Sequence, residues 1–272
     1  MGGSPASSMT EAEMEAQAGA EAWSARGTSY ALSPLHRQGP SLTKLLALAR
    51  PQPDDVCLDL GTGTGHTAAA LAERAARVVG LDPAEGMLRA ARRLYGGLGN
   101  LEFVLAPAAE TGLASESFDL ITARHTLHHH PDLAATLAEA ARLLKPGGRL
   151  VIVDEVTPDP EVEAWYDTLE RLRDPTHVRA YTLDAWRAFI AGAGLTWIVG
   201  DSETRYPIDV ASWLGRMNLD APTTEAAHEL LSSADAHARE VFRIAYEGAR
   251  AVRFEMPMAL ILATKPTPAE EP

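Results

Sequence analysis

"VCLDLGTGTGHTAAAL", residues Val56 to Leu71, decides the fold. A short apolar run reads as a buried strand, three glycines follow at alternate positions, and an Ala-rich stretch of helical habit comes next. Glycines after a strand let the backbone turn sharply and pass close to a ligand, and the amides opening the next helix can face a negative group. Gly61, Gly63 and Gly65 spell GxGxG, whereas a nicotinamide fingerprint wants its third glycine at position 66, where His66 stands. Two acids narrow the ligand. Asp59 lies in the strand before the turn, and Asp82 ends the next apolar run, 82 − 61 = 21 residues after the first glycine. At that second position a carboxylate can accept hydrogen bonds from both hydroxyls of an adenosine ribose.

Outward from this loop, "ARVVGLD", "LEFVLA", "FDLITA", "GRLVIVDE", "LTWIVG" and "PMALILAT" alternate with Ala-rich helical stretches. The alternation predicts an α/β fold with a mostly parallel sheet, because parallel neighbours need crossover helices. Residues 1–22 are small, acidic and poor in large apolar side chains, which predicts a mobile tail before a single domain spanning 23–272. Within that domain, 23–50 reads as an N-terminal helical cap and about 204–257 as an inserted lid.

Composition limits the partners. A formal net charge of −13 repels a polyanionic backbone, so nucleic acid is not an expected substrate. The single cysteine, Cys57, excludes an internal disulfide and favours a reducing cytoplasm. No apolar run reaches the roughly 18–20 residues of a membrane span, and the start of the chain lacks the pattern of a signal peptide, so a soluble cytoplasmic protein is expected. Oligomeric state is not legible.

A short-chain dehydrogenase would carry Tyr-x-x-x-Lys, and none of the six tyrosines has Lys four residues on. In contrast, "LDLGTGTG", "GLDPAEGML", "SFDLITARHTLHHHPD" and "LLKPGGRLVIVDE", in that order, resemble a class I S-adenosylmethionine-dependent methyltransferase. "YALSPLHRQGPSL", "LERLRDPTHVRAYTLDAW" and "PIDVASWLGRM" extend the resemblance to a bacterial subgroup of the ubiquinone/menaquinone methyltransferase-like (type 11) enzymes. The resemblance implies a Rossmann-like sheet of order 3-2-1-4-5-7-6 with the last strand antiparallel. It also implies S-adenosyl-L-methionine as cofactor, S-adenosyl-L-homocysteine as product and a small-molecule substrate. By the same resemblance Gly61, Thr62, Gly63 and Gly65 would lie under the methionine and ribose, Asp59 on the ammonium side and Asp82 on the ribose diol. Pro83 and Met87 would lie near the adenine, as would Ala108 and Ala109 through their backbone or, with a one-residue shift, Glu110. Arg124 or His125 would touch the methionine end, and Tyr30 and His36 would belong to the closing layer.

The chemistry of such a site is in-line displacement at an activated methyl, where alignment and exclusion of water supply much of the catalysis. A general base is needed only when the nucleophile carries a proton. The candidates are His125, His128 and His177, with His36 in the cap. His128, His129 and His130 cannot all point one way, so no metal is expected there, and capping or packing is the plainer role for at least two of them. "LRDPTHVR" gathers Arg173, Asp174, His177 and Arg179 after the fifth strand. A substrate-facing role for His177 or Arg179 is expected, and the arginines there, with Arg124, would suit a carboxylate, enol or phenolate oxygen, the plainer alternative being a surface ion-pair cluster. Trp165, Trp186 and Trp213 are candidates for a cavity wall, core packing being the commoner role of a helical tryptophan. A protein that binds S-adenosylmethionine to regulate, or to catalyse a non-methylating reaction, would keep the same loop and stands as the alternative.

Overall fold

The computed structural model describes residues 11–31, 37 and 39–267, with side chains in the first helix described over 17–27. The chain opens with α1 (Glu11–Ala31) and α2 (Pro40–Ala49). It then alternates: β1 (Val56–Leu60), α3 (His66–Ala72), β2 (Arg77–Asp82), α4 (Glu85–Tyr95), β3 (Leu101–Leu105), β4 (Phe118–Arg124), α5 (Leu133–Leu143) and β5 (Leu144–Glu155). Beyond these come α6 (Glu163–Arg173), α7 (Leu183–Gly192), β6 (Thr196–Asp209), α8 (Val210–Gly215), α9 (Ala221–Ser232), α10 (Ala236–Val241), β7 (Ala245–Glu247) and β8 (Arg250–Thr264).

The sheet order is β3-β2-β1-β4-β5-β8-β6, with β7 paired onto β8 outside this path. The first five strands are parallel, and β8 runs antiparallel to both β5 and β6. This is the expected 3-2-1-4-5-7-6 sheet, the seventh long strand being β8. Side chains along each strand alternate between its two faces. Cys57, Val78, Leu120 and Val151 therefore join one core with α2 and α3, whereas Leu58, Val79, Ile121 and Ile152 join a second with α5 and α7. Helix starts are marked in the sequence: Asp132, Thr182, Asp209, Asp220 and Asp235 each accept a backbone N–H of the first turn, a contribution of about 1 kcal/mol apiece.

Two boundaries differ from the sequence reading. Residues 11–22, expected as part of a mobile tail, are helical in α1, which packs on α4 at a glycine crossing; 1–10 lie outside the described residues. A Cβ on Gly86 would sit 2.0 Å from the Ser24 carbonyl oxygen, and one on Gly27 2.6 Å from that of Gly86, so only glycine lets these helices meet. The expected lid of 204–257 is shorter, because 204–209 and 250–257 belong to the β6–β8 ribbon and the insertion proper is 210–249. Pro207 disguises the strand, but β6 is the sheet edge, where a missing N–H costs no ladder bond.

Candidate active site

The β1–α3 loop places Gly61, Gly63 and Gly65 at φ of 60, 53 and 84°, a left-handed region that disfavours any Cβ. A Cβ on Gly61 would meet the Thr126 Oγ1 at 2.0 Å, whereas Gly63 faces open space. The loop is thus a cradle with a bare backbone floor. Asp82, buried at the end of β2, accepts from Gly63 N–H and Ala84 N–H, each at 2.8 Å. Burial raises its pKa to about 6 despite those bonds. Each oxygen keeps a further lone pair, so a ribose diol is a fitting third partner. The chemistry of this donor set fits an adenosine cofactor.

Other expected cofactor contacts divide. Asp59 faces inward, accepting from Thr62 Oγ1 at 2.7 Å and Thr122 Oγ1 at 2.8 Å, with burial lifting its pKa to about 6. It ties the loop to β4 and holds the Thr62 hydroxyl. Arg124, the last residue of β4, reaches back to Thr67 Oγ1 and Ser41 Oγ, both at 2.9 Å, and so fastens α2 to the loop helix. Met87 and Ala108 are buried; Pro83, Ala109 and Glu110 are exposed. His36 and the Tyr30 side chain lie outside the described residues.

Beyond the carboxyl ends of β4 and β5, where an α/β sheet opens on its ligand crevice, lies a cavity of about 80 Å³. His125, His128, Glu155, Arg173, Trp213 and Arg216 line it, with Tyr206, Ile208 and Met256 from the β6–β8 ribbon and Trp23 from α1. Gly61 abuts Thr126, one residue from His125, so loop and cavity are contiguous. Helix α1 spans the two: at one end Ser24 Oγ accepts from Gly86 N–H at 3.2 Å, at the other Trp23 Nε1 donates to Thr176 Oγ1 at 3.0 Å and Arg26 pairs with Asp174 at 3.3 Å.

The histidines separate by role. His125 has a positive φ of 54°, and burial together with the adjacent Arg124 pushes its pKa down to about 3, so it is neutral. His128 donates Nδ1–H to Asp154 at 2.5 Å; burial alone would lower its pKa, but the Asp154 and Glu155 carboxylates outweigh this and carry it up to about 10. His129 donates to the Thr176 carbonyl at 3.1 Å, stacks edge-on with Trp23 and also lines the cavity, and His130 hydrogen-bonds Thr136. His177 donates Nε2–H to Asp167 at 2.8 Å, buried behind His128.

Arg173 lies over the Trp213 ring at 4.8 Å and pairs with Glu170 at 3.2 Å, on the cavity wall. Arg179 does not join it. Its side chain is 52% exposed and held by Glu163, the surface ion pair that was the plainer alternative; Arg216 from the insertion takes the place expected of it. Trp186 is fully buried core and Trp165 packs on Phe242 at 5.3 Å, so of the three tryptophans only Trp213 lines the cavity. Missed in the sequence were Glu155, Asp154, Asp167 and Glu170. "VDE" at the carboxyl end of the fifth strand was a signal for the first two, and the three-residue spacing 167, 170, 173 on one helix face was a signal for the others.

The sheet, the bare glycine loop and the acid at the end of β2 define a class I methyltransferase architecture. The comparisons give the same result: residues 58–152 match the family described as "Methyltransferase domain". The uncharacterized methyltransferase YcgJ of Bacillus subtilis is 31% identical over 210 residues, 76% of this chain and 83% of the relative. The crystal structure of YcgJ superposes with a TM-score of 0.78, covering 83% of this chain and 98% of that one. A demethylmenaquinone methyltransferase of Clavibacter sepedonicus is 40% identical over 129 residues, 47% of this chain and 53% of that protein. The chain belongs to the methyltransferases, with the class I fold, a family whose activity implies S-adenosylmethionine. Among the described residues no helix is long and apolar enough to cross a membrane.

Proposed function

We propose that the protein transfers the methyl group of S-adenosylmethionine to a small molecule bearing an oxygen anion, in line, within the cavity at the ends of β4 and β5. The observation that carries this reading is the adjacency of the bare glycine loop to the cavity through the Gly61–Thr126 contact. Gly61, Gly63 and Gly65 would hold the methionine and ribose, with Asp82 accepting the ribose hydroxyls. Bound there, the cofactor supplies an electrophilic methyl with a neutral thioether as leaving group. The chain's own work is positioning: Arg173 and Arg216 can hold a carboxylate, enolate or phenolate by paired hydrogen bonds. Trp213, Ile208 and Met256 supply the apolar walls that exclude water. Neither His125, held neutral at a pKa of about 3, nor His128, bonded to Asp154, is poised as a base near neutral pH. An acceptor that arrives ionised suits such a site. Helix α1 and the 210–249 insertion form the closing layer.

Calorimetric titration with S-adenosylmethionine, S-adenosylhomocysteine and NAD tests the cofactor half, and release of S-adenosylhomocysteine on screening phenols, enols and carboxylates tests the transfer half. Selective binding of the two sulfur nucleosides, weakened by Asp82→Ala, is expected. Binding of NAD alone overturns the reading, and binding without turnover across the acceptor classes favours a non-methylating binder.

A further inference from the structure

We propose that His128, His177 and Glu155 form a binding site for a divalent transition-metal ion in the cavity floor. The potential ligand atoms of these three buried residues lie within 4.8 Å of one another. They come from three separate segments: the turn after β4, the loop after α6, and the end of β5. Zinc takes donors at about 2.0–2.2 Å, roughly 3.4 Å apart in a tetrahedral site, so side-chain shifts of about 1 Å complete the set.

The second observation is how each histidine is held. His128 donates Nδ1–H to Asp154, whose carboxylate is fixed by the Leu127 and Glu155 amides at 2.6 and 2.8 Å. His177 donates Nε2–H to Asp167, itself fixed by the Ala180 amide at 2.9 Å. Each ring therefore has one nitrogen committed to a carboxylate, the arrangement that orients metal-binding imidazoles and raises their basicity. The nitrogens left over are Nε2 of His128 and Nδ1 of His177, and the latter is buried with no hydrogen-bond partner among the described residues. His177 is 4% exposed, so water does not offset the missing bond.

Charge points the same way. The Glu155 carboxylate is buried, and its one side-chain hydrogen bond among the described residues comes from Tyr166 Oη at 3.4 Å. Asp154, Asp167 and Glu170 are buried around it, with Arg173 paired to Glu170. A divalent cation between Glu155 and the two imidazoles would be held within this ring of carboxylates. Two histidines and one carboxylate leave coordination positions open, as in catalytic zinc and non-haem iron sites. His128 and Glu155 line the cavity, so the open positions face it, and the ligand class they take is an oxygen of the bound small molecule. The metal site itself stands whether or not methyl transfer is the reaction.

The test uses the full chain, stripped with a chelator and titrated with Co²⁺ and Zn²⁺, read by metal stoichiometry, visible absorption of bound cobalt and thermal shift. One ion per chain is expected, with a nitrogen-ligated cobalt spectrum and a metal-dependent rise in Tm. His177→Gln or Glu155→Gln weakens binding by about 100-fold or more, and Asp167→Asn by roughly 10–100-fold through loss of ring orientation. His237→Gln, in the partly exposed Asp159–Glu161–His237 cluster, leaves it unchanged. Should the His177 and Glu155 variants fail to fold, the wild-type cobalt complex decides alone, because its paramagnetic shifts must fall on two buried imidazole rings. Absence of stoichiometric binding, binding indifferent to both folded variants, or binding lost in His237→Gln overturns the proposal and leaves a proton, not a metal, between His128 and Glu155.

Discussion

The two halves of the site are built from different materials. On the proposed cofactor side, the segment from the end of β1 to the start of α4 presents backbone: three glycines at positive φ, two amides and one carboxylate, all between residues 61 and 84. On the cavity side, beyond β4 and β5, side chains from α1, α6, the β6–β8 ribbon and the insertion converge from positions 23 to 256. The first half can hold a constant cofactor because backbone carries no side-chain identity. The second can be refitted to a new acceptor by changing side chains without disturbing the first.

The sharpest way to break this contrast is to put a side chain where the backbone must be bare. Gly61→Ala combines left-handed strain with a contact of 2.0 Å to Thr126, whose position is shared with the cavity turn. A loss of about 4 kcal/mol in folding stability, with cofactor binding abolished, is expected from strain and overpacking together. Urea unfolding measures the first and calorimetry the second; a variant that keeps both within twofold would show that the cradle is not backbone-built.

The counterpart on the cavity side is Arg173→Ala, which leaves Glu170 buried without its guanidinium and removes the cation from the Trp213 ring. Breaking a buried pair costs about 3 kcal/mol. Denaturant unfolding should show that loss while S-adenosylmethionine affinity changes little. Equal damage to cofactor binding would merge the two halves into one cooperative unit.

Asp82→Ala removes an ionised acceptor, and hydrogen bonds to charged groups contribute about 1.5–3 kcal/mol, so cofactor affinity should fall roughly 10–100-fold. Because burial raises the Asp82 pKa to about 6, the carboxylate loses its charge as pH drops through 6, and affinity should decline with it. Asp82→Asn should flatten that profile; an inflection that survives belongs to Asp59, raised to about 6 as well. For stability the sign is opposite. Both raised carboxyls favour the folded chain most below their unfolded pKa of about 3.9, and that contribution disappears as pH rises through 6.

The same contrast explains what the sequence could show. Gly61, Gly63, Gly65 and Asp82 are read from one short stretch, because a strand, a turn and a helix start are local events; the alternation around them gives a mostly parallel sheet, and its strand order comes from the family resemblance. His128, Glu155, Asp167 and His177 form one cluster only after β5 and α6 have packed, and no local spacing states that Glu155 will meet His177. The run of three histidines says nothing of this grouping: of the three, His128 alone joins it, and its partners lie 27 and 49 residues away (155 − 128 and 177 − 128). The α1 boundary was missed for a related reason, since a small, acidic stretch becomes ordered by the tertiary contact of Gly27 with Gly86 rather than by its own pattern.

The smallest expected effect falls on Arg179, and it tests whether the cavity side is as side-chain-specific as this contrast holds. Arg179 is six residues from Arg173 and carries the same charge, so composition alone does not distinguish them. Their surroundings do: Arg173 sits inside the wall against Trp213 and Glu170, while Arg179 lies on the surface with Glu163 and the face of Tyr181, 5.3 Å from its ring. A solvated pair is screened and loses side-chain entropy in forming, so Arg179→Ala should change stability by less than about 0.5 kcal/mol. It should also leave acceptor affinity and turnover at wild-type values, measured beside Arg173→Ala on the same acceptor. A tenfold loss in Arg179→Ala would mean that the acceptor extends past the cavity onto α6's outer face, and that the wall seen here is only its inner part.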